Sequence, residues 1–339
     1  MKIAIHHRPG SFSDRWIEYC HEKDIDYKIV DAYTSDIVEQ VKGCDAFMWH
    51  YHHNDYRNTL FAKQLLFSLE SAGIKCFPNF HTGWHFDDKV GQKYLLEAIG
   101  APLVPSYVFY TKEDALNWVD QTDFPKVFKL RGGAGSHNVM LAHTRKEAIK
   151  LVKKAFGKGF PQNSIQNLIS EDRRKMREGK MNLHQTVKDI AAYYLKPNTF
   201  HKLQHPEKGY AYFQDFIPNN EFDIRVCVVD KKAFAIKRMV RDGDFRASGS
   251  GHIHYAKNEI DERCVKIALE VAQKLRLQSV GIDFVFDKDN NPLIVEISYG
   301  YTQRGYFDCE GYWTEDMQWH EGKGFDFCGW MVECVIKEK

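Results

Sequence analysis

The sequence lacks a long uninterrupted run of apolar residues and a marked excess of charge of one sign. A helix that spans a membrane needs about 20 consecutive apolar residues, and no segment of the 339-residue chain approaches that length. The 47 basic residues nearly balance the 46 acidic ones, which leaves a formal charge of +1. Such a balance creates no long-range field toward nucleic acid or an anionic membrane. We therefore expect neither nucleic acid nor a membrane as a partner.

Paired cysteine motifs and an N-terminal secretion signal are also missing. The eight cysteines are dispersed and include no CxxC pair, and the opening stretch MKIAIHHRPG is too briefly apolar for a signal peptide. Dispersed cysteines in a chain without a secretion signal are typical of reduced thiols. We expect a cytoplasmic protein, and the sequence leaves open whether it forms a homodimer.

Strand patterns alternate with helical patterns over about the first 80 residues. KIAI and KCFP are typical of buried strands, whereas SDIVEQVKG and RNTLFAKQLLFSLESAG have the helical period. This alternation predicts a parallel α/β domain. From Tyr210 onward strand patterns dominate. We predict an α/β protein with three domains, at residues 1–85, 86–209 and 210–339. The second domain is predicted to contain an insertion at about residues 157–208, with helices at Ile169–Met176 and Leu183–Tyr194.

The segment VGIDFVFDKDNNPLIVEIS, residues 280–298, places one carboxylate in each of two apolar strands. DKDNN indicates a tight turn, so the segment predicts a β-hairpin that brings Asp283 and Glu296 side by side. Two like charges are favourable together around a cation, and Mg²⁺ is typically held by one or two carboxylates together with substrate phosphates. On the hairpin alone, magnesium ligation and structural salt bridges are equal alternatives.

A glycine-rich loop occurs in FPKVFKLRGGAGSHNV, residues 124–139. Lys129 ends a strand there, and the loop contains Gly132, Gly133, Gly135 and Ser136. Backbone N–H groups of such a loop can surround a phosphate while the lysine supplies a positive charge. The loop matches neither GxxxxGK[ST] nor GxGxxG. It predicts a phosphate-binding flap, although glycine-rich turns without a ligand are common.

A turn with a following carboxylate occurs in YFQDFIPNNEFDIRVCVVD, residues 212–230. Glu221 can bind ribose hydroxyls there, and the backbone near Phe216 and Ile217 can contact adenine. A solvated edge strand is the alternative.

Three arginines occur in KRMVRDGDFRASGSGH, residues 237–252. Arg238, Arg241 and Arg246 form a basic patch beside small residues, and guanidinium groups suit bidentate binding of carboxylates or phosphoryl oxygens. A solvated charged face is the alternative interpretation.

Histidines cluster in WHYHHND, residues 49–55. His50, His52 and His53 beside Asp55 raise the possibility of a zinc site, for which the HTGWH segment at 81–85 would supply further ligands. The alternative is an acceptor pocket at the carboxyl edge of the first sheet, the usual ligand face of open α/β folds.

Taken in chain order, these motifs resemble those of the ATP-grasp superfamily of carboxylate–amine ligases. DDKVGQKYLLEAIGAPLVP resembles its first phosphate-lysine segment, which implies that Lys89 binds phosphate. The resemblance implies an N-terminal parallel α/β domain followed by two α+β subdomains that clasp ATP. The implied ATP contacts are Lys89, Lys129, Gly132, Gly133, Gly135, Ser136, Gln214, Asp215, Phe216, Ile217 and Glu221. The implied ligands for one or two Mg²⁺ ions, for which Mn²⁺ is an expected substitute, are Asp283, Glu296 and Ser298.

The arginine segment most resembles the glutathione-synthetase and ribosomal-protein glutamate-ligase branch. It implies that Arg225 and Arg238 contact the transferred phosphoryl group and that Arg246 belongs to the same catalytic set. The implied activity is ADP-forming ligation, through an acyl-phosphate, of a small-molecule or peptide carboxylate to an amine or a thiol. A kinase on the same scaffold and a catalytically silent nucleotide-binding module are the alternatives.

The sequence departs from the superfamily pattern in three places. Ser298 stands where an asparagine is usual on the metal strand, and Ser248 does so in the arginine loop. The insertion at 157–208 lies where a shorter loop is typical. A serine hydroxyl is a shorter and weaker ligand than an amide carbonyl, so a second magnesium ion is left open. The identity of both substrates is not encoded in a motif.

Overall fold

The computed structural model describes residues 1–53, 55–132, 138–161, 169, 176, 182–195, 205–240, 247 and 251–337. The chain forms two compact units. The first unit contains residues 1–52, 57–104 and 217–339, and the second contains residues 53–56 and 105–216. The division into domains at residues 85 and 209 remains a prediction. In the structure, the chain passes from one unit to the other near residues 104 and 216.

The N-terminal part of the chain alternates strands with helices. The strands are β1 (Lys2–His6), β2 (Asp26–Val30), β3 (Ala46–Trp49) and β4 (Lys75–Phe77). The helices are α1 (Phe12–Glu22), α2 (Ile37–Val41), α3 (Tyr56–Ser71), α4 (Phe80–Gly83) and α5 (Lys89–Ala98). The strands form a parallel sheet in the order β2-β1-β3-β4. The parallel α/β arrangement predicted from the alternation is confirmed.

Helix α1 shows why this part of the sequence folds as it does. Ser11 caps the helix, since its side chain accepts a hydrogen bond from the backbone N–H of Ser13. Phe12, Trp16 and Cys20 recur at intervals of four and are fully buried, so they form one apolar face. Helices α3 and α5 are each followed by a glycine with positive φ, Gly73 and Gly100, a conformation that glycine adopts at low cost.

The second unit contains a four-stranded antiparallel sheet. Its strands are β5 (Ser106–Phe109), β6 (Lys126–Lys129), β7 (Val139–Ala142) and β8 (Ala211–Asp215), and its helices are α6 (Lys112–Gln121), α7 (Arg145–Ala155) and α8 (Leu183–Leu195). The strand order is β5-β8-β6-β7. Helix α8 confirms the second helix predicted within the insertion. The first, at Ile169–Met176, lies almost entirely outside the described residues.

A larger antiparallel sheet belongs to the first unit. Its strands are β9 (Phe222–Val229), β10 (Lys232–Met239), β11 (Ile253–His254), β12 (Ser279–Phe286), β13 (Pro292–Ser298), β14 (Gly311–Thr314) and β15 (Trp319–Glu321). The order is β13-β12-β9-β10-β14-β15, and β11 pairs with β10. Helix α9 (Glu262–Leu275) buries a face that runs from Cys264 to Leu275, which shares a core with Val226 and Ile282 of the sheet.

The aromatic C-terminal segment differs from its prediction. The stretch GYTQRGYFDCEGYWTEDMQWHEGKGFDFCGW, residues 300–330, is rich in aromatic residues, and its sequence predicts an irregular loop that lies over a site or forms a hydrophobic seam. The structure instead has β14, β15 and helix α10 (Phe327–Ile336) in this part of the chain. Tyr301, Tyr306 and Phe327 share one hydrophobic core with Phe12 and Trp16 of α1. The interpretation as a hydrophobic seam is therefore correct, and the expected irregularity is wrong, because paired backbone and buried rings stabilise regular structure there.

Two further expectations concern thiols and membranes. All eight cysteines lie in described segments, and all of them are free. Among the helices that the structure describes, none combines the length and the apolar character needed to cross a membrane.

Candidate active site

The two carboxylates of the β12–β13 hairpin are direct neighbours. Asp283 of β12 lies opposite Glu296 of β13 in the register, and a bulge follows Asp283. Residues that lie opposite each other in an antiparallel pair project from the same face. The hairpin and the juxtaposition predicted from the sequence are therefore correct.

Asp283 is held by two arginines from neighbouring strands. Its Oδ2 accepts a hydrogen bond of 2.6 Å from Nη2 of Arg225, which lies opposite it on β9. Its Oδ1 lies 3.1 Å from Nη2 of Arg238. Burial alone would raise the pKa of Asp283, but the charges of Arg225 and Arg238 outweigh burial and lower this pKa. The carboxylate is therefore ionised at neutral pH.

A second carboxylate completes this arrangement. Arg238 donates from Nε and Nη2 to the two oxygens of Asp223, each over 2.6 Å. Arg238 on β10 and Asp223 on β9 lie opposite each other, and the Arg238 side chain is 7 % exposed. We call Asp223, Arg225, Arg238 and Asp283 the ionic cluster. The resemblance implied Arg225 and Arg238 as contacts of the phosphoryl group, but nothing in the sequence assigned Asp223 as the partner of Arg238.

Glu296 forms its ion pair with a lysine of helix α5. Lys89 Nζ lies 3.3 Å from Glu296 Oε1, and the lysine side chain is 5 % exposed. Lys89 is the first residue of α5, a helix capped by Asp88, whose side chain accepts from the N–H of Gly91. Glu296 is 33 % exposed, so it remains accessible from solvent.

Ser298 lies two residues beyond Glu296, and its hydroxyl is used locally. Its Oγ donates to the carbonyl of Gly300 and accepts from the N–H of Gly300, both over 3.2 Å. These bonds close a turn at the end of β13. The structure therefore gives Ser298 a structural role, and its predicted role as a metal ligand remains a prediction.

The donor chemistry of the hairpin fits magnesium with only two protein ligands. Asp283 and Glu296 supply hard carboxylate oxygens on adjacent strands, and sites of this size are typically completed by substrate phosphates and water. Within the described part of the chain, no group of three or more His, Cys, Asp or Glu side chains could hold a metal ion. Both alternatives left open by the sequence apply to this hairpin: the acids are salt-bridged, and they remain candidate ligands.

In the second unit, Lys129 is part of a buried polar chain. Its Nζ donates to Oε1 of Gln214 over 2.5 Å, and Nε2 of Gln214 donates to Oγ of Ser106 over 3.0 Å. Both Lys129 and Gln214 are buried. The neighbouring pair Lys126–Asp215 joins β6 and β8 with a 2.6 Å contact.

The glycine-rich loop is described only at its ends. Leu130 donates its N–H to the carbonyl of Asn138, and the Asn138 side chain donates to the carbonyl of Gly132. The predicted phosphate-binding residues Gly133, Gly135 and Ser136 lie outside the described residues, as do Arg241 and Arg246 of the arginine segment.

The predicted adenine-and-ribose segment forms an anchored turn. Asn220 donates to the carbonyl of Phe286 and accepts from the N–H of the same residue, at 3.0 and 2.8 Å. Glu221 is exposed, and its carbonyl accepts from the N–H of Val240. Phe216 and Ile217 are partly buried. The carboxylate of Glu221 is therefore free to meet a ligand from solvent, although no contact here assigns one.

Among its described residues, the histidine segment does not bring three possible metal ligands together. Nδ1 of His50 accepts a hydrogen bond of 3.2 Å from the backbone N–H of Phe12, and His50 is buried under the Phe12 ring. His85 is fully buried, and burial lowers its pKa to about 3. No three His, Cys, Asp or Glu side chains of the described residues could hold a metal ion together. The zinc interpretation is therefore not supported.

Comparison with known proteins agrees with this architecture. Residues 202–305 match the model of the RimK-like ATP-grasp domain. No curated protein sequence matches the chain significantly.

Several solved structures share the fold at low sequence identity. A RimK domain ATP-grasp protein from Sphaerobacter thermophilus is 14 % identical with a TM-score of 0.57, over 99 % of this chain and 100 % of that one. The D-alanine–D-alanine ligase from Bacillus anthracis, complexed with ATP, is 15 % identical with a TM-score of 0.54, over 89 % and 87 %. The biotin carboxylase domain of the Hydrogenobacter thermophilus 2-oxoglutarate carboxylase, in complex with MgADP and bicarbonate, is 14 % identical with a TM-score of 0.60, over 100 % and 70 %. We conclude that residues 202–305 are similar to a RimK-like ATP-grasp domain and that the chain shares the fold of these solved structures.

Proposed function

We propose that the chain is an ATP-dependent, ADP-forming ligase that joins a carboxylate to an amine through an acyl-phosphate. The observation that carries the proposal is the ionic cluster beside the Lys89–Glu296 pair, most of which lies within the matched ATP-grasp segment. Each arginine of the cluster is fixed by a carboxylate on an adjacent strand. Fixed guanidinium groups can stabilise negative charge that develops during phosphoryl transfer without reorganising.

The local charge of the site explains which ligand it suits. Asp223, Asp283 and Glu296 contribute three negative charges, and Lys89, Arg225 and Arg238 contribute three positive charges. A balanced site attracts neither a bare cation nor a bare anion strongly. It suits a metal–nucleotide complex, in which the phosphates meet the cationic side chains and the carboxylates meet the metal.

The proposed nucleotide contacts follow from this arrangement. Asp283 and Glu296 would hold Mg²⁺, which when bound neutralises phosphate charge. Lys89 and the two arginines would bind phosphoryl oxygens, and Glu221 would bind ribose hydroxyls. In the second unit, Lys129 and the loop that begins at Gly132 would bind phosphate.

The proposed reaction has two steps, phosphoryl transfer to the carboxylate and attack of the amine. A carboxylate oxygen attacks the γ-phosphorus of ATP, and the bond between that phosphorus and ADP breaks. The amine then attacks the acyl carbon, its nitrogen releases a proton to solvent, the acyl C–O bond breaks, and phosphate leaves with the oxygen that came from the carboxylate. Arg225 and Arg238 would stabilise the charge on the phosphoryl oxygens in both steps.

The transfer of an oxygen atom from the carboxylate to the released phosphate tests the proposed reaction. Pairs of carboxylates and amines are screened for ADP release with Mg²⁺, and an active pair is repeated with an ¹⁸O-labelled carboxylate. We expect one ¹⁸O atom in the released phosphate, detected by mass spectrometry. Phosphate that stays attached to a stable product would identify a kinase instead, and ATP binding without turnover across the screen would identify a silent nucleotide-binding module.

A further inference from the structure

A second group of polar residues lies in the first unit, at the carboxyl edge of the parallel sheet. Arg8 follows β1 in the loop before α1, and His50 follows β3, which is adjacent to β1. The ring of Phe12 stacks on the ring of His50, with centroids 3.8 Å apart. Trp16 lies one turn further along α1, and its ring centroid is 6.5 Å from that of His50. We call Arg8, Phe12, Trp16 and His50 the donor corner.

The hydrogen bond from Phe12 determines which nitrogen of His50 carries the proton. Because the backbone N–H of Phe12 donates to Nδ1, this nitrogen is an acceptor. Burial, together with the nearby charge of Arg8, lowers the pKa of His50 well below its ordinary value, so the ring is neutral at pH 7. A neutral imidazole whose Nδ1 accepts carries its proton on Nε2. His50 therefore presents an N–H donor at Nε2.

Three donor atoms of this corner lack acceptors among the described residues. Nε2 of His50, Nε of Arg8 and Nε1 of Trp16 are all buried, and none has a hydrogen-bond partner among the described residues. Arginine and tryptophan side chains can only donate. Buried polar groups are nearly always satisfied in native proteins, so each exception requires an explanation. Three donors in one corner indicate an acceptor that comes from outside the chain.

We infer that the donor corner binds a carboxylate of a small-molecule substrate. A carboxylate accepts hydrogen bonds at both oxygens and donates none, which matches a set made of donors alone. Arg8 contributes a permanent positive charge, and the N-terminus of α1 adds partial positive charge. The inference rests on the proposed function for the identity of this ligand as a ligase substrate, whereas the binding itself does not depend on turnover.

The other polar groups at the start of α1 already have partners within the protein. The N–H of Phe12 is used by His50, and the N–H of Ser13 donates to Ser11, so the helix N-terminus offers charge rather than these two hydrogen bonds. Asp14, the nearest carboxylate on α1, accepts from the N–H of Gly10 over 2.7 Å, and its other oxygen lies 3.6 Å from Nδ1 of His7. Asp14 is thus engaged on the loop that precedes the helix.

Binding is tested with the full chain and glutarate, without nucleotide. The Nε2–H signal of His50 is followed by ¹H–¹⁵N NMR at constant ionic strength, with chloride as the reference anion. We expect saturable shifts of this signal. The variant His50→Phe keeps the stacked ring and removes the donor, and Arg8→Gln removes the guanidinium charge. In both variants the affinity for glutarate should fall about tenfold or more, as followed by the NMR signals of the donor-corner residues that remain.

Matched variants separate a lost hydrogen bond from a disturbed fold. His50→Gln offers an amide N–H in place of Nε2–H and should restore part of the affinity. Arg263→Gln removes one positive charge from the exposed start of α9 and should leave the affinity unchanged. Unaltered glutarate affinity in both His50→Phe and Arg8→Gln, with wild-type thermal midpoints, would overturn the inference, and so would inorganic phosphate binding more tightly than glutarate.

A kinetic measurement distinguishes this inference from the ligase proposal. With an active substrate pair, His50→Phe should raise the KM of the carboxylate substrate about tenfold and leave the KM of ATP unchanged. Turnover with an unchanged carboxylate KM would overturn the inference and keep the ligase. Glutarate binding without ligase turnover for any pair would overturn the proposed function and keep the binding site.

Discussion

The ionic cluster and the donor corner are both buried polar groups of the first unit, but they differ in where their hydrogen bonds go. In the ionic cluster every arginine meets a carboxylate within 3.1 Å. In the donor corner three N–H groups meet no acceptor within the described chain. The contrast shows that one site is assembled by the protein before any ligand arrives, whereas the other is completed by its ligand.

Asp283→Asn is expected to have the largest effect. Removing one carboxylate from a buried ionic network leaves arginine charge uncompensated, which costs about 3 kcal/mol of unfolding free energy. We also expect ADP formation to fall about a hundredfold or more, because the proposed magnesium ligand is lost. Urea unfolding and an ADP-release assay at several Mg²⁺ concentrations measure the two effects.

Asp223→Asn is the matched control for that variant. It removes the other carboxylate of the cluster, which fixes Arg238 and is not a proposed ligand, so the Mg²⁺ concentration for half-maximal activity should stay at the wild-type value. If both variants shift this concentration equally, Asp283 acts as an arginine partner and the metal assignment is wrong.

Glu296→Gln should separate catalysis from stability. Glu296 is more exposed than Asp283, and solvent screens its ion pair with Lys89, so we expect a smaller loss of unfolding free energy. ADP formation should nevertheless fall as far as in Asp283→Asn, because both carboxylates are proposed ligands. Wild-type turnover in this variant would remove Glu296 from the site.

His50→Phe should change how stability depends on pH. The pKa of His50 is depressed in the folded state, whereas the pKa of a histidine in an unfolded chain is about 6.5. Its contribution is therefore fully present above about pH 6.5 and is lost as the pH falls below that value, since the unfolded chain binds the proton first. We expect a flatter decline of the urea midpoint from pH 7 to pH 5 in the variant.

A second buried histidine, His85, contributes to the pH dependence that remains in the His50→Phe variant. The pKa of His85 is lowered to about 3 by burial and by the charge of Lys63, so in the variant His85 still makes the unfolding free energy decline as the pH falls below about 6.5. A pH dependence identical to that of the wild type would mean that His50 binds its proton as readily in the folded protein as in the unfolded chain, which would contradict a depressed pKa of this ring.

Ser298→Ala is expected to have the smallest effect. The hydroxyl forms local bonds with Gly300, so its loss should cost about 1 kcal/mol of unfolding free energy. The dependence of activity on Mg²⁺ should not change, because the hydroxyl is engaged in the turn. A marked increase in the Mg²⁺ requirement would instead assign Ser298 to a metal ion.

Local patterns predicted the elements of the site well. The alternation of strands and helices predicted the parallel sheet, and the turn DKDNN with its apolar flanks predicted the hairpin that joins Asp283 to Glu296. These features are local, since a hairpin register follows from its turn and its alternation. The aromatic C-terminal segment was predicted wrongly because its strands and helix depend on burial against α1, which no local period reveals.

The partners within the site could not be predicted in the same way. Asp223 and Arg238 are 15 positions apart, and Arg225 and Asp283 are 58 apart, so their pairing depends on which strands become neighbours in the large sheet. Arg8 and His50 likewise meet because β1 and β3 are adjacent. The sequence also predicted Lys129 at the end of a strand before a phosphate-binding loop, and the structure adds its bond to Gln214 on β8.

The sequence by itself determined an order of motifs that resembles the ATP-grasp superfamily, the parallel α/β start and the acids of the last hairpin, because each depends on residues close together in the chain. Only the tertiary structure decided that Asp283 is held by arginines and that the proton of His50 lies on Nε2. The physical reason is that a charge or a donor takes its properties from the groups packed around it, and distant segments supply those groups.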